Sequence, residues 1–224
     1  MDADKVKQLG SAVIRIEAAA VSALESRIDD DFVRACELLF ACAGRIVVSG
    51  MGKSGHIGEK IAATLASTGS PAFFVHPAEA SHGDLGMICN DDVWVILSNS
   101  GETQELRTIA PIVRRRRIPI IALTGNPVST LAELASVHID TSVATEACPL
   151  GLAPTSSSTA SLAMGDALAV ALLQRRGFTP EDFARSHPGG ALGRKLLLHV
   201  ADIMRCGERI PRVPDNASIS QSIA

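Results

Sequence analysis

The sequence predicts an α/β fold, a three-layer α/β/α sandwich around a five-stranded parallel sheet, with helices added at the N-terminus. Three observations predict it. Short apolar, β-branched runs occur at 46–48, 72–75, 93–97, 118–123 and 137–139, and they do not alternate with polar residues. Strands buried on both faces have this pattern, as in parallel sheets covered by helices. Helix-length segments or turns separate the runs, as crossovers between parallel strands require. Finally, 224 residues that are 46% hydrophobic and 20% charged suit one large domain, with a core that needs neither disulfides nor structural metal.

Before the first strand, about 43 residues read as helical. Val6, Leu9, Val13, Ile16, Ala20 and Leu24 recur at helical spacing, and Phe32, Cys36, Leu39 and Phe40 continue the pattern in a second segment. After the last strand a long helix is predicted over 155–176. Its buried side is read as Ala160, Leu162, Ala163, Ala167, Leu168, Ala171 and Leu172. Beyond Leu198 the character changes: residues 200–204 lead into a polar stretch, 205–224, containing Pro211 and Pro214. The expected organisation is a domain over 1–198, then a linker and the beginning of a second, interrupted domain over 199–224.

Composition narrows the function. Lys and Arg total 21 against 24 Asp and Glu, a net charge of −3, which offers no basic footprint for nucleic acid. Aromatics are 3%, with no Tyr and one Trp, so a surface that stacks bases or sugars on rings is not expected. Five cysteines without a C-x-x-C pair suggest reduced thiols rather than a disulfide framework or a zinc ribbon. No apolar run approaches the ~18–20 residues that span a bilayer, and the start, Met1 to Asp4, lacks the basic and apolar regions of a signal peptide. A cytoplasmic protein with neither membrane nor nucleic-acid partners is expected.

In a doubly wound sheet ligands bind at the carboxyl ends of the strands. The first strand runs into Ser49-Gly50-Met51-Gly52-Lys53-Ser54-Gly55, a G-x-G-x-x-G spacing. A dinucleotide site needs an acidic residue at the end of the second strand, but the chain there reads Val75-His76-Pro77. A P-loop would put Gly at position 47, where Val stands. What remains is a glycine-rich turn at a helix N-terminus, suited to an anion, with Lys53 at the site. A tight turn bearing a surface lysine is the plainer alternative. The third strand ends in Ser98-Asn99-Ser100-Gly101-Glu102-Thr103, where Ser98, Ser100 and Thr103 can join backbone N–H groups around a phosphate without Mg²⁺. Such a loop suits a sugar phosphate better than a nucleoside triphosphate. Ser100 acting as helix N-cap, with Thr103 three positions on, is the structural alternative. A second seat for phosphate is the start of the long helix, Thr155 to Ser158.

Three further polar clusters fall on predicted loops: His76 to Asp84, Thr145 to Pro149 and Ser186 to Gly190. The run Arg114 to Arg117 ends a predicted helix, where cations complement the dipole, so it reads first as a solvated helix end. Cys148 stands near Glu146 without an evident base and reads as a spectator thiol.

Four of these stretches, in this order, resemble the D-arabinose-5-phosphate isomerases: Gly50 to His56, Ser98 to Glu102, Thr145 to Thr155 and Ser186 to Arg194. That family has a sugar isomerase (SIS) domain followed by a pair of cystathionine-β-synthase-type (CBS) domains, of which only the first ~20 residues would fall in this chain. The resemblance runs from about residue 10 onward. It implies an aldose–ketose isomerase that interconverts D-ribulose 5-phosphate and D-arabinose 5-phosphate, supplying 3-deoxy-D-manno-octulosonate for lipopolysaccharide. It carries catalytic positions onto Lys53, Glu105, Glu146 and His187. Substrate contacts carry onto His82, Gly69, Ser70, Thr108 through Arg117, and Ser142, Val143 and Ala144. His76 matches a position for metal or substrate, so zinc or another divalent ion is admitted there, although the chemistry requires no cofactor.

The implied chemistry suits these residue types. A base removes a proton α to the carbonyl and returns it to the neighbouring carbon, and a carboxylate with a pKa raised by partial burial is expected to serve. Lys53 can neutralise the negative charge that develops between the two steps. Two other readings are a sugar-phosphate-sensing SIS module and an SIS isomerase of a different ketose phosphate. The N-terminal 43 residues are too few, and not basic enough, for the helix-turn-helix domain that SIS regulators usually carry. In the family it resembles a neighbouring subunit often supports the site, and the N-terminal apolar stripe offers a surface to bury. Together these imply a homo-oligomer, expected as a tetramer with shared active sites in which at least one of His82 and His187 enters a partner's site. Both lie outside the strand core, and each ring needs support to hold its position.

Overall fold

The computed structural model describes residues 2–190, 200–210 and 212–220. They form two compact units, Met1–Thr179 and Pro180–Ala224.

The chain enters through α1 (Ala3–Ala23), where the Asp2 side chain accepts the Asp4 N–H. A 3₁₀ turn (Leu24–Arg27) leads to α2 (Asp30–Phe40), which starts where the Asp29 carboxylate caps the N–H groups of Asp31 and Phe32. The apolar stripe expected along the first helix is buried only from Ala20 onward, while Val6 and Leu9 are 53% and 46% exposed. Helical spacing fixes which residues share a face, not how much of that face is covered.

Five strands follow: β1 (Ile46–Gly50), β2 (Ala72–Phe74), β3 (Val93–Leu97), β4 (Ile120–Thr124) and β5 (Val137–Asp140). All pair in parallel, in the order β2-β1-β3-β4-β5. The central strands β1, β3 and β4 are buried throughout. Both edge strands depart from the expected two-sided burial: β2 is half-buried and β5 alternates. The fourth strand begins at Ile120 rather than 118, because Pro119 has no N–H to give the ladder; its carbonyl accepts the Trp94 N–H at 2.9 Å.

Strand side chains alternate between two cores. Val48, Val95, Leu97, Ile121 and Leu123 pack with α2, α3 (Gly52–Ser67) and α7 (Ser156–Arg176) on one face. Val47, Trp94, Ile96 and Ile120 pack with α4 (Pro77–Ser81), α5 (Gln104–Arg115) and α6 (Thr130–Leu134) on the other. The predicted three-layer sandwich and its long last helix are therefore present. By length and average composition alone α7 could cross a membrane, although Asp166 interrupts its apolar run. Here Ala160, Met164, Leu168, Ala169 and Leu172 place it in the core.

The second unit holds α8 (Pro180–Ser186), a helical turn at Val200–Ile203 and a 3₁₀ turn at Gly207–Arg209. The expected domain boundary at 198–199 and the motif positions Ala191 to Arg194 lie outside the described residues.

The crossovers from β1 and from β3 leave toward opposite faces, through α3 and α5. This makes a topological switch point between two adjacent strands, and ligands of such sheets bind in the crevice it opens at the carboxyl edge.

Candidate active site

At the carboxyl end of β1 the backbone is packed too tightly for side chains. A Cβ on Gly50 would lie 2.7 Å from the Ser54 carbonyl oxygen, and one on Gly55 would lie 2.8 Å from that of Gly50. Gly52 follows with φ +55 and open space before it, and Lys53 stands exposed in the first turn of α3. The glycines thus bring an uncovered helix N-terminus and an ammonium to the switch point.

Across that crevice is the β3–α5 loop. Ser98 is buried; its Oγ accepts the Gly101 N–H at 3.1 Å and shares a 2.7 Å hydrogen bond with Thr103 Oγ1. Ser100 is exposed and accepts the Glu102 N–H at 3.1 Å. Helix α5 begins only at Gln104, with Thr103 at the N-cap position, so Ser100 is not the cap considered from sequence. Of the three hydroxyl residues, Ser100 and Thr103 remain at least partly open while Ser98 braces the turn. Glu105 is half-buried in the first turn of α5. Thr108 lies a turn further on, exposed, its hydroxyl turned back to the Gln104 carbonyl at 2.9 Å.

Glu102, a motif residue without an assigned role, accepts the Thr130 N–H at 2.7 Å and its hydroxyl at 2.9 Å, and pairs with Arg107 at 3.3 Å. The Thr130 bonds, led by its N–H, hold the Glu102 carboxyl below its ordinary range, with a smaller contribution from Arg107. Its work is to tie the loop to α6.

Beyond β5 the chain is held by Arg27, which donates to the Ser142 carbonyl at 2.6 Å and pairs with Asp140 at 3.4 Å. Ser142, Val143 and Ala144 thereby line one wall of a cleft of about 370 Å³, with Ile16 and Ala20 of α1 opposite. Glu146 comes next, half-buried. Its Oε2 accepts the Thr155 N–H at 2.8 Å, the Thr155 hydroxyl at 2.9 Å and the Ser157 N–H at 3.3 Å. Thr155 Oγ1 also accepts the Ala147 N–H at 2.9 Å, which closes the loop between the two residues.

From sequence a carboxylate raised by partial burial is expected as the base, with no residue singled out; Glu146 does not have that character. Burial does push the Glu146 pKa up, but the surrounding donors of Ser157 and Thr155 outweigh it and hold the group below its ordinary value. The Ser157 hydroxyl contributes from nearby, although its Oγ completes no hydrogen bond; the Oγ atoms of Thr141 and Ser156 are likewise buried without partners among the described residues. Cys148 sits between these segments with its thiol held low by backbone N–H groups, Ala153 first, and no charged group contributes.

The remaining positions divide. His76 and His82 flank α4 at the carboxyl end of β2, both exposed, with His76 edge-on to Phe74 at 6.4 Å. No group of three or more His, Cys, Asp or Glu converges among the described residues, so His76 on its own does not fit a metal site. Gly69, Ser70 and Arg117 stand at the opposite, amino edge of the sheet. Ser70 is buried and accepts from Arg176 at 3.0 Å, while Gly69 is packed under the Phe178 ring with φ +90. Arg117, at the far end of α5, carries φ +60. Within one chain these three do not join Lys53 and Glu146. His187 belongs to the second unit, where it stacks on Phe183 at 4.1 Å and its Nδ1 meets the Phe183 carbonyl at 3.0 Å.

A doubly wound sheet with a glycine turn, a hydroxyl loop and a capped carboxylate on its carboxyl edge is the architecture of an α/β domain with a polar, anion-suited crevice. The SIS domain family model matches residues 39–171, and the chain belongs to that family. Arabinose 5-phosphate isomerase KdsD of Pseudomonas aeruginosa is 62% identical over 210 residues, covering 94% of this chain and 64% of that protein. KdsD of Escherichia coli K12 is 58% identical over 217 residues, covering 97% and 66%. The chain thus spans about two thirds the length of these curated relatives. Among solved structures, E. coli CFT073 c3406 in complex with arabinose 5-phosphate is 42% identical with a TM-score of 0.79, covering 84% of this chain and all of that one. The Vibrio vulnificus NanR protein complexed with ManNAc-6P is 21% identical with a TM-score of 0.67, covering 88% and 71%, a likeness of fold alone.

Proposed function

We propose that this chain carries an isomerase site that interconverts D-ribulose 5-phosphate and D-arabinose 5-phosphate through an enediol. The observation that carries the reading is that Lys53, the Ser98–Thr103 loop and Glu146 follow β1, β3 and β5 and so share the carboxyl edge of one parallel sheet. Relatives more than half identical are named arabinose 5-phosphate isomerases, and a 42%-identical structure holds arabinose 5-phosphate.

In this reading Ser100, Thr103 and the first-turn N–H groups of α3 and α5 hold the phosphate. Glu146, kept ionised by its donors, takes the proton from C1 of the ketose. The electron pair moves through the C1–C2 bond onto the carbonyl oxygen, where Lys53 neutralises it. The O1 hydroxyl proton passes to O2. As the C1–O1 bond becomes the aldehyde carbonyl, the C1–C2 double-bond pair takes the proton back from Glu146 at C2, which gives the aldose. Glu105, His82 and His187 are assigned to the site by resemblance, at least one of the two histidines entering a partner's site in a homotetramer; sedimentation of the chain tests that assembly. The product would supply 3-deoxy-D-manno-octulosonate in the cytoplasm. No step is derived through a metal.

The test is a proton NMR time course with D-ribulose 5-phosphate in D₂O. Arabinose 5-phosphate appearing with deuterium at C2 supports the reaction and its enediol route. Tight binding of a pentose or hexose phosphate without turnover favours the sensor instead, and turnover of a hexulose phosphate alone favours a different isomerase.

A further inference from the structure

Glu146 reaches its place only through its neighbours on the first turn of α7. Every hydrogen bond described for its carboxylate goes to one oxygen, Oε2: two from Thr155 and one from the Ser157 N–H. Because the Thr155 hydroxyl gives its proton to Oε2, its lone pairs remain free, and one of them receives the Ala147 N–H. That second bond fixes the hydroxyl's direction and links the two ends of the 147–154 loop. A carboxylate held by one oxygen has a single orientation and presents the other oxygen in a fixed place.

We propose that Thr155 is the positioning residue for this site: its hydroxyl and N–H pin Oε2 of Glu146 and leave Oε1 as the oxygen that takes the substrate's carbon-bound proton. The inference rests on the isomerase reading above and adds a residue to it. The bland alternative is a latch that closes the 147–154 loop and caps α7, with no consequence for proton transfer. Charged groups on the elements around Glu146 include Lys53 at the start of α3, Glu17 of α1, which accepts from Thr159 at 3.2 Å, and Arg27, already engaged by Asp140 and Ser142. None of the three is among the groups that shift the Glu146 carboxyl.

The experiment compares wild type, Thr155→Val and Thr155→Ser in the full chain, by pH profiles of kcat and by carbon-detected NMR titration of the Glu146 carboxyl. Thr155→Val removes the hydroxyl and keeps the N–H. It should lower kcat by roughly ten- to a hundredfold with KM nearly unchanged, the scale of one hydrogen bond to a charged group. The Glu146 midpoint and the acid limb of the profile should both move to higher pH, and Thr155→Ser should restore both. A folded Thr155→Val protein with wild-type kcat and an unmoved midpoint overturns the proposal. If Thr155→Val does not fold, the wild-type and Thr155→Ser titrations decide: a Glu146 midpoint at or above the ordinary glutamate value overturns the clamp, and a lower midpoint kept in Thr155→Ser, with kcat kept as well, supports it. The titration needs no turnover, so an inactive wild type would refute the isomerase reading while leaving the clamp measurable.

Discussion

At the amino edge of the sheet the buried polar groups are spent on the fold itself. Asp92 accepts the N–H groups of Arg45 and Cys89, each at 2.7 Å, and Ser70 accepts from Arg176. At the carboxyl edge Thr141, Ser156 and Ser157 are equally buried, yet their hydroxyls have no partner among the described residues. Glycines there bring a bare helix N-terminus and Lys53 to the surface. An unsatisfied buried hydroxyl costs on the order of 1–3 kcal/mol. The fold leaves these three hydroxyls without a protein partner beside the edge that the isomerase reading assigns to the substrate, and completes the bonds of Asp92 and Ser70 on the other. Such a local sacrifice of stability belongs to a functional edge.

The sharpest way to break that comparison is to mutate both edges and read activity and stability separately. Lys53→Ala and Glu146→Gln should each lower kcat by about a hundredfold or more, the range for losing charge stabilisation or a general base, with Tm little changed. Asp92→Ala should do the reverse. Stranding two N–H groups should cost roughly 2–5 kcal/mol and lower Tm by roughly 5–15 °C, with kcat intact below the transition. Loss of activity in Asp92→Ala at temperatures where it is folded would erase the distinction between the edges.

Within the β3–α5 loop the same contrast recurs on a smaller scale. Ser100 is open to solvent while Ser98 is buried and bonded to Gly101 and Thr103. Ser100→Ala should raise KM roughly tenfold or more, the value of one hydrogen bond to a charged group, and lower kcat far less. Ser98→Ala should instead lower Tm, with a KM effect that follows loosening of the turn. Equal KM effects in steady-state kinetics would place both hydroxyls on the phosphate.

How much of this was legible in sequence depends on range. Five strands and the long helix α7 could be read because unbroken apolar runs and helical spacing are local signals. The glycine and serine loops were legible for the same reason. The exposure of Val6 and Leu9 was not, since spacing does not reveal what a helix face meets. Arg27 was missed altogether: its partner Ser142 lies 115 residues away, and no local pattern marks the pair. Glu102 sat in a recognised motif, but its bond to Thr130, 28 residues on, exists only once the sheet brings two loops together. Placing Gly69, Ser70 and Arg117 needed the strand direction as well, because each adjoins a crossover on the side opposite the one that carries Lys53. The lowered Glu146 pKa was not legible either, because the donors that outweigh burial come from folding the 147–154 loop back on itself.

The smallest effect tests a polar group near the carboxyl edge that does have a partner. His138 on β5 shares a 2.9 Å hydrogen bond with Thr124 Oγ1 at the end of β4. Burial lowers its pKa below the ordinary histidine value, against the opposing pull of Asp140, Thr124 and Asp31. The folded state therefore favours the neutral ring, and between the folded and unfolded pKa values the unfolded chain binds the extra proton. Stability from this residue is full above the unfolded pKa and is lost as pH falls through the folded one. Calorimetry of wild type and His138→Gln from pH 8 to pH 5 should show wild type losing more Tm than the variant, by on the order of 1 °C. If His138→Gln loses as much, the ring's proton balance is the same folded and unfolded. The Thr124 bond would then be indifferent to protonation, and the partnered groups of the carboxyl edge would lie outside the contrast between the edges.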